Sequence, residues 1–359
     1  MKHFILILSF ISAICSTSMA QTMLSDYKPG NTADGAVYFL PKTNIRVSIL
    51  VEKATYQPGE FSKYAMRFLR MNNVEQQPST LYRVLSIKQT PVAVADSTKG
   101  YSVKFNIKTV AANVVLSEDG RLLAINAQPR QTDEPEAFTA APKEQRANPR
   151  TFMNEEILAA GSTAKMAELT AREIYDLREN RNLLIKGQAD FMPHDGAQMQ
   201  LMLNQLDIQD KALTSMFTGT TDRDTTEIIL NVNPEGDIQH QVLFRLSQKL
   251  GIVDADDLAG EPYYIDVENL KTVPEADETA KSKKKKKQPE SGVYVNVPDR
   301  MRSTIYKGTN QISVVEMPAP QFGNVELLSA ELFNKRYTTH LWLNPLTGAV
   351  DKLEAEQPK

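Results

Sequence analysis

Apolar and polar residues alternate over residues 44–54, with Ile45, Val47, Ile49 and Val51 at every second position. A two-residue period is the pattern of a strand with one buried face, so the spacing predicts a half-buried strand there. A shorter apolar run, residues 36–40, precedes it, and Pro41 predicts a break between the two because proline cannot donate to a ladder. Beyond the Pro58-Gly59 turn, Phe61, Tyr64, Ala65, Phe68 and Leu69 fall at i, i+3, i+4, i+7 and i+8. That spacing makes one apolar face of a short helix. The stretch 35–69 carries more such signals than any other part of the chain.

Further strands are predicted at 81–89, 101–109 and 111–116. The turn Glu118-Asp119-Gly120 then predicts a hairpin into 121–126, since Asp-Gly between alternating runs favours a tight reversal. The period changes to helical at 163–185, which has no Gly or Pro and stops at Gly187. A second helix is predicted over 196–217, with Met199, Met202, Leu203, Leu206, Leu213 and Phe217 as its stripe. Strands resume at 226–232 and 237–246, where the turn Asn233-Pro-Glu-Gly236 predicts another hairpin. The tail adds strands at 293–297, 311–317, 337–343 and 349–353.

The predicted class is α+β: mainly antiparallel β-sheet domains with a helical middle section. Residues 35–127 read as an N-terminal β-rich domain and 128–150 as a proline-rich linker or loop. Residues 151–272 read as a helical segment plus a β-hairpin. Residues 273–290 turn from acidic to basic, with six lysines from Lys281 to Lys287, a composition that predicts a disordered loop. Residues 291–359 form a C-terminal β segment expected to pack with 151–272.

The first 20 residues stand apart. Lys2, the apolar run 4–14 and the small residues Ser18 and Ala20 have the layout of a signal peptide cleaved near Ala20, followed by a polar leader at 21–34. The run is too short to span a bilayer, which takes about 20 residues, and no transmembrane segment is expected after the signal is removed. Export to the periplasm or beyond follows. Cys15 is the only cysteine; lipoprotein anchoring through it is the minor alternative, because bulky Ile14 precedes it where a small residue is needed. The 41 Lys and Arg against 44 Asp and Glu leave a charge of −3, which argues against a nucleic-acid partner.

Few residues carry the spacing of a known chemistry. His194, His240 and His340 are far apart, without the spacing of a zinc site, so no metal and no cofactor is expected. Thr221-Asp-Arg-Asp-Thr225 and Asp254-Ala-Asp-Asp257 match a calcium loop only in part and read as a turn and a helix start. There is no nucleophile elbow and no Gly-rich phosphate loop, so catalytic residues are unknown. Three surfaces carry two readings each. The lysine run reads as a solvated loop or an anion-binding patch. The Met-rich helix reads as core or as a soft groove. Tyr38, Tyr56, Phe61, Tyr64 and Phe68 read as core or as a sugar-stacking platform.

Two segments carry a family likeness. They are Tyr38-Phe-Leu-Pro-Lys-Thr43, with Glu52-Lys53, Pro58-Gly59 and Tyr64-Ala65 behind it, and Thr170-Ala-Arg-Glu-Ile-Tyr-Asp-Leu-Arg-Glu-Asn-Arg181, with Gly187-Gln-Ala-Asp190, Leu206 and Phe217-Thr-Gly219. Together with Asn344-Pro345 and Thr347-Gly348 they resemble a domain-of-unknown-function family of exported Bacteroidetes envelope proteins. The resemblance spans nearly the whole chain beyond residue 20. It implies a Gram-negative envelope setting and the same multi-segment build, and no assigned activity. The expected function is non-enzymatic, binding or scaffolding an envelope component, protein or glycan. The alternative is a periplasmic hydrolase acting on a glycan or peptide through scattered carboxylates.

Overall fold

The computed structural model describes residues 31–32, 35–104, 113–131, 135, 137–143, 145–274, 292–333 and 337–357. The expected signal segment, most of the 21–34 leader and the lysine run lie outside these described residues.

Strand β2 (Gly35–Gln57) runs 23 residues without stopping at Pro41. The predicted break is instead a change of phase. Ala36, Tyr38 and Leu40 are buried on one side of Pro41, and Ile45, Val47, Ile49 and Val51 on the other, so the inward face switches from even to odd positions. The antiparallel partner β3 (Ser79–Lys104) explains why proline is tolerated. Its register jumps from Gly100 opposite Phe39 to Ala95 opposite Pro41, leaving four residues of β3 against one of β2. The ladder is already interrupted where the missing N–H would fall. The strand expected at 81–89 and the first residues of the one expected at 101–109 are therefore one strand carrying a bulge; residues 105–109 lie outside the described residues.

Strand β6 (Thr220–Val232) pairs with the other side of β2, from Gln57 opposite Thr220 to Ile45 opposite Val232, and short β1 (Asn31–Thr32) pairs with the start of β2. Where β6 leaves, the Gln321 side chain takes over: its Oε1 accepts from Thr43 N at 3.0 Å and its Nε2 donates to Thr43 O at 2.9 Å. A second sheet has the order β11-β10-β9-β7-β8, built from β7 (Ile238–Ser247), β8 (Gly251–Val253), β9 (Glu261–Asn269), β10 (Gly292–Lys307) and β11 (Asn310–Ser329). The third sheet, in the order β13-β12-β5-β4, combines β4 (Val114–Leu116), β5 (Leu122–Ile125), β12 (Thr338–Leu343) and β13 (Val350–Glu356).

The hairpin at Glu118-Asp119-Gly120 forms as β4 and β5. The one expected at Asn233–Gly236 does not: β6 belongs to the first sheet and β7 to the second. The inward residues of the two strands face each other across the core, so the connection crosses between layers, about 10 Å apart, instead of reversing within one. Strand β9 was not foreseen from the sequence.

Helices are few. Helix α1 (Ala65–Leu69) is preceded by one 3-10 turn, α2 (Glu155–Leu158) is a single turn, and α3 (Thr163–Lys186) and α4 (Gly196–Thr218) match the helical spacing, α3 ending at Gly187 as expected. Ser162 and Asp195 cap the two long helices by accepting from the backbone N–H groups of Lys165 and Gln198. The molecule is mostly antiparallel sheet, and the helical middle is its minor part.

Three cores result. The odd positions of β2 pack against Phe244, Ile265, Met301 and Ile305 of the second sheet. The even positions pack against Leu122, Ile125, Leu341 and Leu343 of the third. Phe61, Ala65 and Leu69 pack against Ile174, Leu213 and Phe217 of the long helices. The stretch 35–69 thus supplies residues to every core. Each handover is tightly built. A Cβ at Gly59 would sit 2.2 Å from Met216 O, the carbonyl that accepts from Phe61 N–H. At Gly348, with φ of +70°, a Cβ would sit 2.6 Å from the Pro41 ring.

Candidate functional site

The face of β2 opposite the sandwich core carries Glu52, Ala54 and Tyr56. The register sets Arg83, Leu81 and Ser79 of β3 beside them, and Arg223 and Thr221 of β6 on the other flank. These three adjacent strands floor an open cleft of about 830 Å³, a size typical of ligand sites. Met71, Asn73, Val74 and Glu75, which follow α1, line another side, and Thr218, Tyr82 and Gln248 complete it. Tyr56 ties the wall to the floor: its hydroxyl is 2.7 Å from Glu75 O and 2.9 Å from Thr218 O.

Glu52 organises the electrostatics. Its side chain is 9% exposed, and one oxygen, Oε1, accepts from Arg83 Nε and Arg223 Nη1, each at 2.8 Å. The Arg83 hydrogen bond is the main cause holding its carboxyl below the usual range, with burial opposing and Arg223 adding to the effect. The guanidiniums remain 64% and 57% exposed, so one buried carboxylate aims two cations into the cleft. Only part of each planar fork is used, leaving N–H groups directed at solvent. Glu75 stands at the other end, where Ser79 Oγ donates to its Oε2 at 3.3 Å. Burial pushes the Tyr56 phenol up, and the Glu75 charge adds to this.

The residues weighed from the sequence fall elsewhere, with few exceptions. Tyr38 and Phe61 are fully buried, and Tyr64 and Phe68 pack on the helical core, so of the five aromatics only Tyr56 lines the cleft. In the Met-rich helix α4, Leu213 and Phe217 of the expected stripe are core, with Met216, and Leu206 packs against them, whereas Met199, Met202 and Leu203 are only half-buried. The segment 221–225 is strand, not a turn, which is how Arg223 comes to face Glu52. The segment 254–257 is a turn, not a helix start.

The histidines lie on separate elements. His194 is exposed ahead of α4. His240 sits in a bulge of β7 at φ of +52°, its ring 4.0 Å above Tyr264 and its Nδ1 2.8 Å from the Tyr306 hydroxyl. On β12, His340 bonds the Asn126 carbonyl. Among the described residues no group of three or more His, Cys, Asp or Glu is placed to hold a metal ion.

Glu52, Arg83 and Arg223 were missed as a site because nothing local marks them. Each is a polar residue on the outward face of a strand, and only the register of three strands brings them together. No curated protein and no solved structure matches the chain significantly. It belongs to the family described as a domain of unknown function, DUF4831, whose match covers residues 34–351.

Proposed function

We propose that this member of the DUF4831 family is an exported envelope protein that acts by binding, and that the cleft on the outer face of β3, β2 and β6 receives its partner. The observation that carries this reading is the pair of half-exposed guanidiniums aimed into the cleft by buried Glu52. Holding two cations beside one carboxylate leaves exposed donors that an anionic group on a partner could accept from. Export is supported by the signal-peptide layout of residues 1–20, with cleavage near Ala20. Among the described residues no helix is long and apolar enough to cross a membrane.

The state of Glu52 argues against it as the general acid of a carboxylate hydrolase. Carboxylate hydrolases need one carboxyl kept protonated as a general acid, which takes a raised pKa. The guanidiniums push Glu52 the other way. The test is affinity capture from cell envelopes with the tagged chain and with an Arg83→Ala/Arg223→Ala variant of equal stability. The expected result is a component, protein or glycan, retained by the first and reduced at least tenfold with the second. Equal retention by both would remove the cleft from the account.

A further inference from the structure

We infer that the cleft takes a short extended peptide with both termini free, its carboxylate against Arg83 and Arg223 and its amino group against Glu75. This rests on the reading of the cleft as the binding site and names what fills it. The charges in the lining are sorted to two ends. Arg83 and Arg223 converge on Glu52, whereas Glu75 is held at the level of Tyr56, four residues beyond Glu52 on β2: the Tyr56 hydroxyl bonds its carbonyl and Ser79, four residues before Arg83 on β3, bonds its carboxylate. Four residues of strand span about 13 Å at roughly 3.3 Å per residue. An extended chain of three to four residues has the same reach between its terminal charges.

The floor between the two ends is aliphatic. Ala54 and Leu81 lie along it, Leu81 half-exposed, with Met71 and Val74 alongside. Sugar sites stack their ligands on open aromatic faces, and the two rings here are otherwise engaged. Tyr56 is held by hydrogen bonds, with Gly219 close against its ring, and Tyr82 packs on Gly251 and the sandwich core. An aliphatic floor suits apolar side chains. The charged ends then match a zwitterion and fix its direction along the strands.

The experiment passes a degenerate pool of tetrapeptides over the immobilised full chain and reads retained species by mass spectrometry. Parallel pools are amidated at the C-terminus or acetylated at the N-terminus. Free-ended peptides should be retained at least tenfold over either blocked pool. Arg83→Ala/Arg223→Ala should abolish the preference for a free carboxylate, and Glu75→Gln the preference for a free amine, each leaving the other preference intact. Equal retention of blocked and free pools, or retention of none, would overturn the peptide assignment. If envelope capture is nonetheless lost in the arginine variant, the cleft reading stands and only the ligand class falls; if capture is unchanged too, both fall.

Discussion

At the scale of single residues, Glu52 joins fold and site. A carboxylate with a lowered pKa stabilises the folded state above the ordinary carboxylate range, and that contribution is lost as pH falls through the folded value. Its ion pairs reach half-exposed arginines, so their worth is that of surface pairs, up to about 1 kcal/mol in total. Glu52→Gln should therefore lower stability by about that much at pH 7. The gap between variant and wild type should shrink toward zero by pH 3, read as urea midpoints at the two pH values. A gap of equal size at both would mean that the ionised carboxylate contributes nothing. Pro41 gives the complementary lesson. Its missing donor was visible in the sequence and correctly marked an irregularity, but the accommodating residues, 96–99 of β3, are far along the chain, so a phase change read as an end.

At the scale of elements, α3 and α4 show which contacts matter. They are joined by Arg178 with Asp210 and Thr214, and by Arg181 with Asp207 at 2.8 Å, all partly exposed. Beneath these pairs Leu213 is fully buried among Phe61, Ile174 and Phe217. Leu213→Ala removes buried methyl groups and leaves a cavity, expected to cost about 2–5 kcal/mol. Arg181→Ala breaks one screened pair and should cost less than about 1 kcal/mol. Chemical denaturation of the two variants checks the ranking, and the reverse order would contradict it. The helices were legible because their spacing, caps and the Gly187 stop are all local. The partnership of β6 and β7 was not: a Pro-Gly turn signals a reversal, and only the packing of Ile228 and Leu230 on the far layer decides whether the reversal stays in one sheet.

At the scale of the whole molecule, 35–69 is the thread that runs through all three cores, and its alternation and helical face were readable because burial on one side leaves a periodic trace. The cleft left none. Arg83 and Arg223 lie 31 and 171 positions from Glu52, and outward-facing strand positions tolerate polar residues of any kind, so no pattern distinguishes a site from a solvated face. Occupancy of the cleft is therefore best tested in place. A photo-crosslinking amino acid at Leu81, 51% exposed on the cleft floor, should capture a partner in living cells. The same probe at Leu258, 85% exposed and outside the cleft lining, should capture none. Adducts from position 258 with none from position 81 would contradict the assignment of this cleft as the functional site.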